Sequence, residues 1–200
     1  MHGDKQPRRQ KDKLLENMED ISLHILDIAE NSVSAGATLI KITISVDTQK
    51  DLFSVEIEDD GRGIPEDIRS KVLDPFVTTR TTRKVGLGLP LLAQSARETG
   101  GDISVRRGNT TGTVVTASFK QDHIDMKPLG DIAETLVVLI AGNPNVDFLF
   151  TYNKNSNAFS LDTREIKKEL EGVPVTSPAV LSFLRNYLSA SLRDINNEVV

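Results

Sequence analysis

Four short segments of this 200-residue chain carry residue types suited to binding a charged, polar ligand, and they stand in a fixed order. The first is Asp27-Ile-Ala-Glu30-Asn31-Ser-Val-Ser-Ala-Gly36-Ala-Thr38. Residues four apart are neighbours on one helical face, so Asp27 and Asn31 can serve one site. A carboxamide oxygen is a suitable hard ligand for Mg²⁺, which leans on waters and phosphate oxygens for the rest of its shell. The second is Asp59-Asp60-Gly61-Arg62-Gly63, directly after an apolar alternation. Glycines there let the backbone approach a ligand, and an aspartate carboxylate can accept from an amino group. The third, Asp74-Pro-Phe76-Val-Thr-Thr79-Arg80-Thr-Thr-Arg83-Lys84, is rich in hydroxyls and cations that suit a flexible lid over phosphates, or an exposed loop. The fourth is Gly86-Leu87-Gly88-Leu-Pro90, glycines leading into a helix whose free N–H groups and dipole favour phosphate.

The elements that must position these groups are legible in the apolar spacing. Leu14, Met18, Ile21, Ile25 and Ile28 recur at helical spacing, predicting a helix from about residue 14 to 35 that Gly36 stops. Ile40 to Val46 and Phe53 to Ile57 alternate as two strands around a polar turn. Pro65 starts a short helix, and Pro90 opens another that ends at Gly100-Gly101. Ile103–Arg107 and Gly112–Phe119 read as a second hairpin. After a compositional shift near residues 123–128, Asp131 with Glu134 caps a helix over Thr135–Ala141. Val146, Phe148, Phe150 and Tyr152 alternate as a strand, and an Asn153–Asn157 loop turns it into Ala158–Leu161. Asp162 with Glu165 caps a further helix, and Ser177-Pro178 start a last one carrying Val180, Leu184, Leu188 and Leu192. The expected division is a basic N-terminus at 1–13, a ligand-binding domain at 14–122 and an α/β region at 129–200.

Composition narrows the classes of function. With 38% hydrophobic and 26% charged residues the chain is an ordinary globular protein, and a formal charge of −5 argues against a nucleic-acid-coating surface. The absence of cysteine excludes disulfides and thiolate metal sites and fits a reducing compartment. The longest apolar run, Leu136 to Ala141, is far short of the roughly 18 residues that span a bilayer, and no apolar stretch follows the polar first residues as a signal peptide would. A cytoplasmic protein without a membrane span is expected.

In order and spacing the four segments resemble the N box, D-x-G-x-G box, F box and G-x-G box of the GHKL superfamily. That superfamily includes histidine kinases, anti-sigma-factor serine kinases, DNA gyrase B and MutL. Glu30-Asn31-Ser32 through Ala35-Gly36-Ala37-Thr38 looks like MutL, whereas Asp74-Pro-Phe76 with Gly86-Leu87-Gly88-Leu89 looks like histidine kinases. The resemblance implies an α+β fold, a two-layer α/β sandwich holding ATP between its helices and a lid. It makes Asn31 the Mg²⁺ ligand and Asp59 the reader of adenine, with Gly61 and Gly63 shaping the adenine pocket. Gly86, Leu87 and Gly88 become the phosphate loop, Thr79, Arg80 and Lys84 face phosphates from the lid, and Thr113 supports Asp59.

Three departures bear on mechanism. Where MutL, gyrase and the serine kinases carry a glutamate general base, this chain has Asp27, one methylene shorter. A base must lie within about 2.6–3.2 Å of its proton or act through one water, so direct hydrolysis suffers from the lost reach. Glu30 is no substitute, because one residue's rotation turns it about 100° from Asn31. Lys84 stands where histidine kinases have the first glycine of their last box. No phosphoacceptor helix pair is expected in the residues before the first helix, which places the acceptor on another protein. Three functions follow: a kinase-like module acting on a protein partner, a MutL-like ATPase switch that orders its lid and dimerises, and a non-catalytic nucleotide-binding regulator. A homodimer is compatible with each.

Overall fold

A computed structural model describes residues 20–69, 71–73, 88–108 and 111–197. The first helix among the described residues, α1, spans Ile21–Ser34 and buries the face carrying Ile21, Ile25, Ile28 and Ala29; the expected helical residues Leu14 and Met18 lie outside the described residues. Gly36 follows it at φ 80°, a left-handed conformation that glycine adopts without steric cost. Strands β1 (Leu39–Asp47) and β2 (Leu52–Asp59) pair antiparallel. Their alternation buries Ile40, Ile42, Ile44, Phe53, Val55 and Ile57 on one face and leaves the polar partners on the other. A single turn of helix, α2 (Glu66–Arg69), comes next, then α3 (Gly88–Glu98) and the antiparallel pair β3 (Asp102–Arg107) and β4 (Thr113–Lys120). Helix α3 includes Gly88, so Pro90 lies inside its first turn rather than opening it, where its missing N–H is still harmless.

The residues after 123 continue the same sheet. Helix α4 (Ile132–Gly142) is capped by Asp131, whose carboxylate accepts the Glu134 amide at 2.9 Å. Strand β5 (Asp147–Lys154) then lies parallel to β1, from Leu39 opposite Asp147 to Val46 opposite Lys154. Strand β6 (Asn157–Asp162) pairs back on β5, followed by α5 (Thr163–Glu169) and α6 (Pro178–Asn197). The expected loop at Asn153–Asn157 is shorter than its polarity suggests. Asn153 and Lys154 pair with Ala158 and Asn157, and Asn155 takes φ 53° in the turn. The result is a six-stranded mixed sheet in the order β3-β4-β2-β1-β5-β6, with helices packed on its apolar face in a two-layer α+β sandwich. Between the layers Phe119, Phe148, Phe150, Leu136 and Leu139 are at most 1% exposed. Among the described residues no helix is long and apolar enough to cross a membrane.

Candidate functional site

The site residues gather where the start of α3 and the end of β2 approach α1. Asp59, the last residue of β2, is buried, and three donors converge on its carboxylate. The Ser32 hydroxyl donates to Oδ2 at 2.9 Å; the amides of Gly61 and Thr113 donate to Oδ1 at 2.9 and 3.3 Å. Three donors on two oxygens leave lone pairs for a ligand and fix the direction in which they point. Thr113 thus meets Asp59 through its backbone amide, and Ser32 is a further partner. Because Ser32 stands one position after Asn31 on α1, it faces the sheet while Asn31 stays half-buried beside the site.

The loop after Asp59 is held by its neighbours on both sides. A Cβ on Gly61 would sit 3.1 Å from the Ala35 carbonyl oxygen and 3.1 Å from Asp59 Oδ1, tight enough to displace the carboxylate. Gly63 has φ 74°, and a Cβ there would come within 2.9 Å of the Gly112 carbonyl oxygen. Gly112 has φ 78° and lies so close to the Asp59 backbone that no side chain fits. Asp60 turns the other way and ties the loop to β1. Its Oδ1 accepts the amides of Thr38 and Leu39 at 2.7 and 2.9 Å, and its Oδ2 accepts the Thr38 hydroxyl at 2.6 Å. Burial works to raise the Asp60 pKa, but these hydrogen bonds outweigh it and hold the carboxyl below its ordinary value. Sequence reasoning missed Asp60 as an anchor; its signal was the adjacent pair Asp59-Asp60, which on a strand end must face opposite ways.

Asp27 is exposed on α1 and reaches the first residue of α3, where its carboxylate occupies the space that a side chain on Gly88 would need. Asp27 and Gly88 are therefore brought together, with Asn31 one turn further along α1. Glu30 points elsewhere, accepting from the Asn143 carboxamide at 3.2 Å. His24, one turn before Asp27, is 5% exposed. Desolvation lowers its pKa against the pull of Asp27, and Lys127 lowers it further. Thr79, Arg80, Lys84, Gly86 and Leu87 lie outside the described residues.

Comparison with known proteins gives this arrangement its family. A model described as the histidine kinase-, DNA gyrase B-, and HSP90-like ATPase matches residues 17–123, more than half of the chain, and the chain belongs to that family. A protein of Rickettsia conorii described as an NtrY-like sensor histidine kinase is 26% identical over 110 residues, which is 55% of this chain and 18% of that protein. The tetrathionate sensor histidine kinase TtrS of Salmonella typhimurium is 32% identical over 103 residues, 50% of this chain and 17% of that kinase. The chain thus spans under a fifth of the length of these relatives. The N-terminal domain of a DNA repair protein shares the fold, with a TM-score of 0.50 at 15% identity over 72% of this chain and 51% of the other. Residues 17–123 thus form an ATPase domain of this family, similar over about half of the chain to sensor histidine kinases.

Proposed function

We propose that this chain is a histidine-kinase-like module that uses Mg-ATP to phosphorylate, and so to regulate, a protein partner. The observation that supports it is the reach of Asp27 from α1 to Gly88 at the start of α3, one turn from Asn31. Helix N-termini offer unpaired N–H groups and a positive dipole end, so this is where a chain of phosphates would lie. The Asn31 carboxamide supplies one hard oxygen there for Mg²⁺, which completes its octahedron from phosphates and water and neutralises phosphate charge. Asp27 stands beside it as the candidate base. Asp59, oriented by Ser32, Gly61 and Thr113, accepts the exocyclic amino group of adenine. The short reach of Asp27 is least harmful when the acceptor is a histidine, itself a nucleophile that needs little help from a base. Thr79, Arg80, Lys84, Gly86 and Leu87 complete this reading as phosphate-facing groups, and the cytoplasm is where ATP and such a partner would meet it.

The test is calorimetry with and without Mg²⁺, followed by phosphate transfer from γ-labelled ATP to proteins captured from the native cell with a non-hydrolysable analogue. Mg²⁺-dependent, adenine-selective binding and partner-dependent labelling are expected. A chain that binds ATP equally with and without Mg²⁺ refutes the role given to Asn31, and one that binds no ATP refutes the whole reading.

A further inference from the structure

Ser32 is not among the ligand groups expected from the four segments, yet its side chain is buried, 4% exposed, and it meets Asp59, itself 7% exposed. Two acceptors lie within its reach. The Ile28 carbonyl oxygen, one turn back on α1, is at 3.3 Å, and Asp59 Oδ2 is at 2.9 Å. A hydroxyl has one proton to give, and the shorter contact to a carboxylate holds it more strongly than the longer one to a neutral carbonyl. The oxygen itself has little freedom. The Ser32 carbonyl accepts the amides of Ala35 and Ala37, each at 3.1 Å, so the backbone that carries the side chain is pinned where α1 ends.

These contacts decide what the site can offer a ligand. The two other donors to Asp59 are the backbone amides of Gly61 and Thr113, at 2.9 and 3.3 Å from Oδ1, and an amide cannot reverse its polarity. A hydroxyl can, because it both donates and accepts. Were the Ser32 proton turned away from Asp59, Oδ2 would be released to swing, and the hydroxyl would add a donor beside it. With the proton committed to Oδ2, the carboxylate presents lone pairs alone. Their direction is fixed from α1 on one oxygen and from the loop and β4 on the other.

We propose that Ser32 is a specificity-determining residue of the nucleotide site: by giving its proton to Asp59 it makes the pocket accept a purine with an amino group at position 6 and refuse one with a carbonyl there. The proposal rests on the reading of Asp59 as the group that meets the base. A 6-amino purine donates to the free lone pairs. A 6-oxo purine in the same pose brings a second acceptor against them, and buried polar groups left unpaired are what give a hydrogen-bonding site its discrimination. The N–H that a 6-oxo purine does carry lies one ring position further round, where a carboxylate of fixed direction does not follow it.

Equilibrium binding of three nucleotides to the full chain tests this: ATP, inosine triphosphate, whose base carries the 6-oxo group, and purine riboside triphosphate, whose base carries nothing at that position. Wild type should bind ATP at least about 10-fold more tightly than inosine triphosphate. Ser32→Ala should weaken ATP binding by about 10-fold, leave purine riboside triphosphate unchanged, and leave inosine triphosphate unchanged or tighter, so that the preference collapses. Ser32→Cys keeps the shape with a weaker donor and should fall between the two. A wild type with no preference for ATP overturns the assignment of Asp59, and this proposal with it. A wild-type preference that both variants retain overturns the role of Ser32 alone. Equal weakening of all three nucleotides does the same, since it would mark Ser32 as a support of the fold.

Discussion

Asp59 shows how a single carboxylate can be committed to one task by its neighbours. Its partners come from α1, from its own loop and from the start of β4, so its orientation is set by the packing of three elements rather than by local chain stiffness. Changing it to asparagine turns half of an obligate acceptor into a donor facing Ser32, Gly61 and Thr113. Asp59→Asn should weaken ATP binding by at least about 1.5 kcal/mol, the scale of a charge-assisted hydrogen bond, as read by calorimetry. Wild-type affinity would remove adenine from this pocket. Asp27 separates the functional readings. If it serves as a base for water, Asp27→Asn should lower a slow intrinsic turnover by about 10²–10⁴-fold, and Asp27→Glu, restoring length, should raise it. The added methylene must be accommodated beside Gly88, where the present carboxylate already fills the space. Brisk partner-free hydrolysis that Asp27→Asn leaves unchanged would put the base elsewhere. That Asp27 and Asn31 lie one turn apart on α1 could be read from their spacing, and that Asp59 ends a strand from the alternation before it. The contact of Ser32 with Asp59 could not, because a serine hydroxyl carries no sign of which acceptor, 27 positions away, it will meet.

At the scale of elements, α1 is the piece on which most of the site depends, and it is clamped at both ends. Its first amides, Ile21 and Ser22, donate to the carbonyls of Pro128 and Leu129 at 3.0 and 2.8 Å, while its last turn leads to the Thr38–Asp60 anchor. His24 is buried on this helix, with Lys127 of the same strap acting on it. Its folded pKa lies below the ordinary 6.5, so the unfolded chain takes up the proton first. Stability is therefore lost as pH falls below that ordinary value and continues to fall until the folded value is reached. Thermal melts between neutral and mildly acidic pH should show this decline, and His24→Gln should flatten it; an equal decline in both proteins would place the acid sensitivity elsewhere. Most elements were legible because each carries its own period and punctuation, as in the alternation of Ile40, Ile42 and Ile44 or the cap at Asp131. The parallel pairing of β1 with β5 was not. An alternating strand looks the same whichever neighbour it takes, and these two are separated by the whole ligand-binding segment.

For the whole molecule, the consequence of that pairing is that residues 129–200 stand within the sheet that carries the site. The family match ends at residue 123, and sequence composition shifts nearby, so a fragment of residues 14–122 is the natural minimal domain to prepare. In that fragment β1 loses β5 and becomes an edge, and α1 loses the carbonyls of Pro128 and Leu129. The core also loses Leu136, Leu139, Ile140, Phe148 and Phe150, each at most 1% exposed in the full chain. At about 2 kcal/mol for each buried side chain, the loss is on the order of 10 kcal/mol, comparable to the ~5–15 kcal/mol that stabilises a whole domain. Part of the fragment's own core, including Ile40, Ile42 and Ile25, would be opened to water at the same time. The fragment is therefore expected to melt without a cooperative transition, or to aggregate through the bared edge of β1, and to bind ATP weakly or not at all. Calorimetric melting of fragment and full chain under the same conditions decides it. A cooperative transition of the fragment within a few degrees of the full chain, with ATP affinity retained, would show that the first four strands and their helices form a self-sufficient unit and that the C-terminal strands are an appendage.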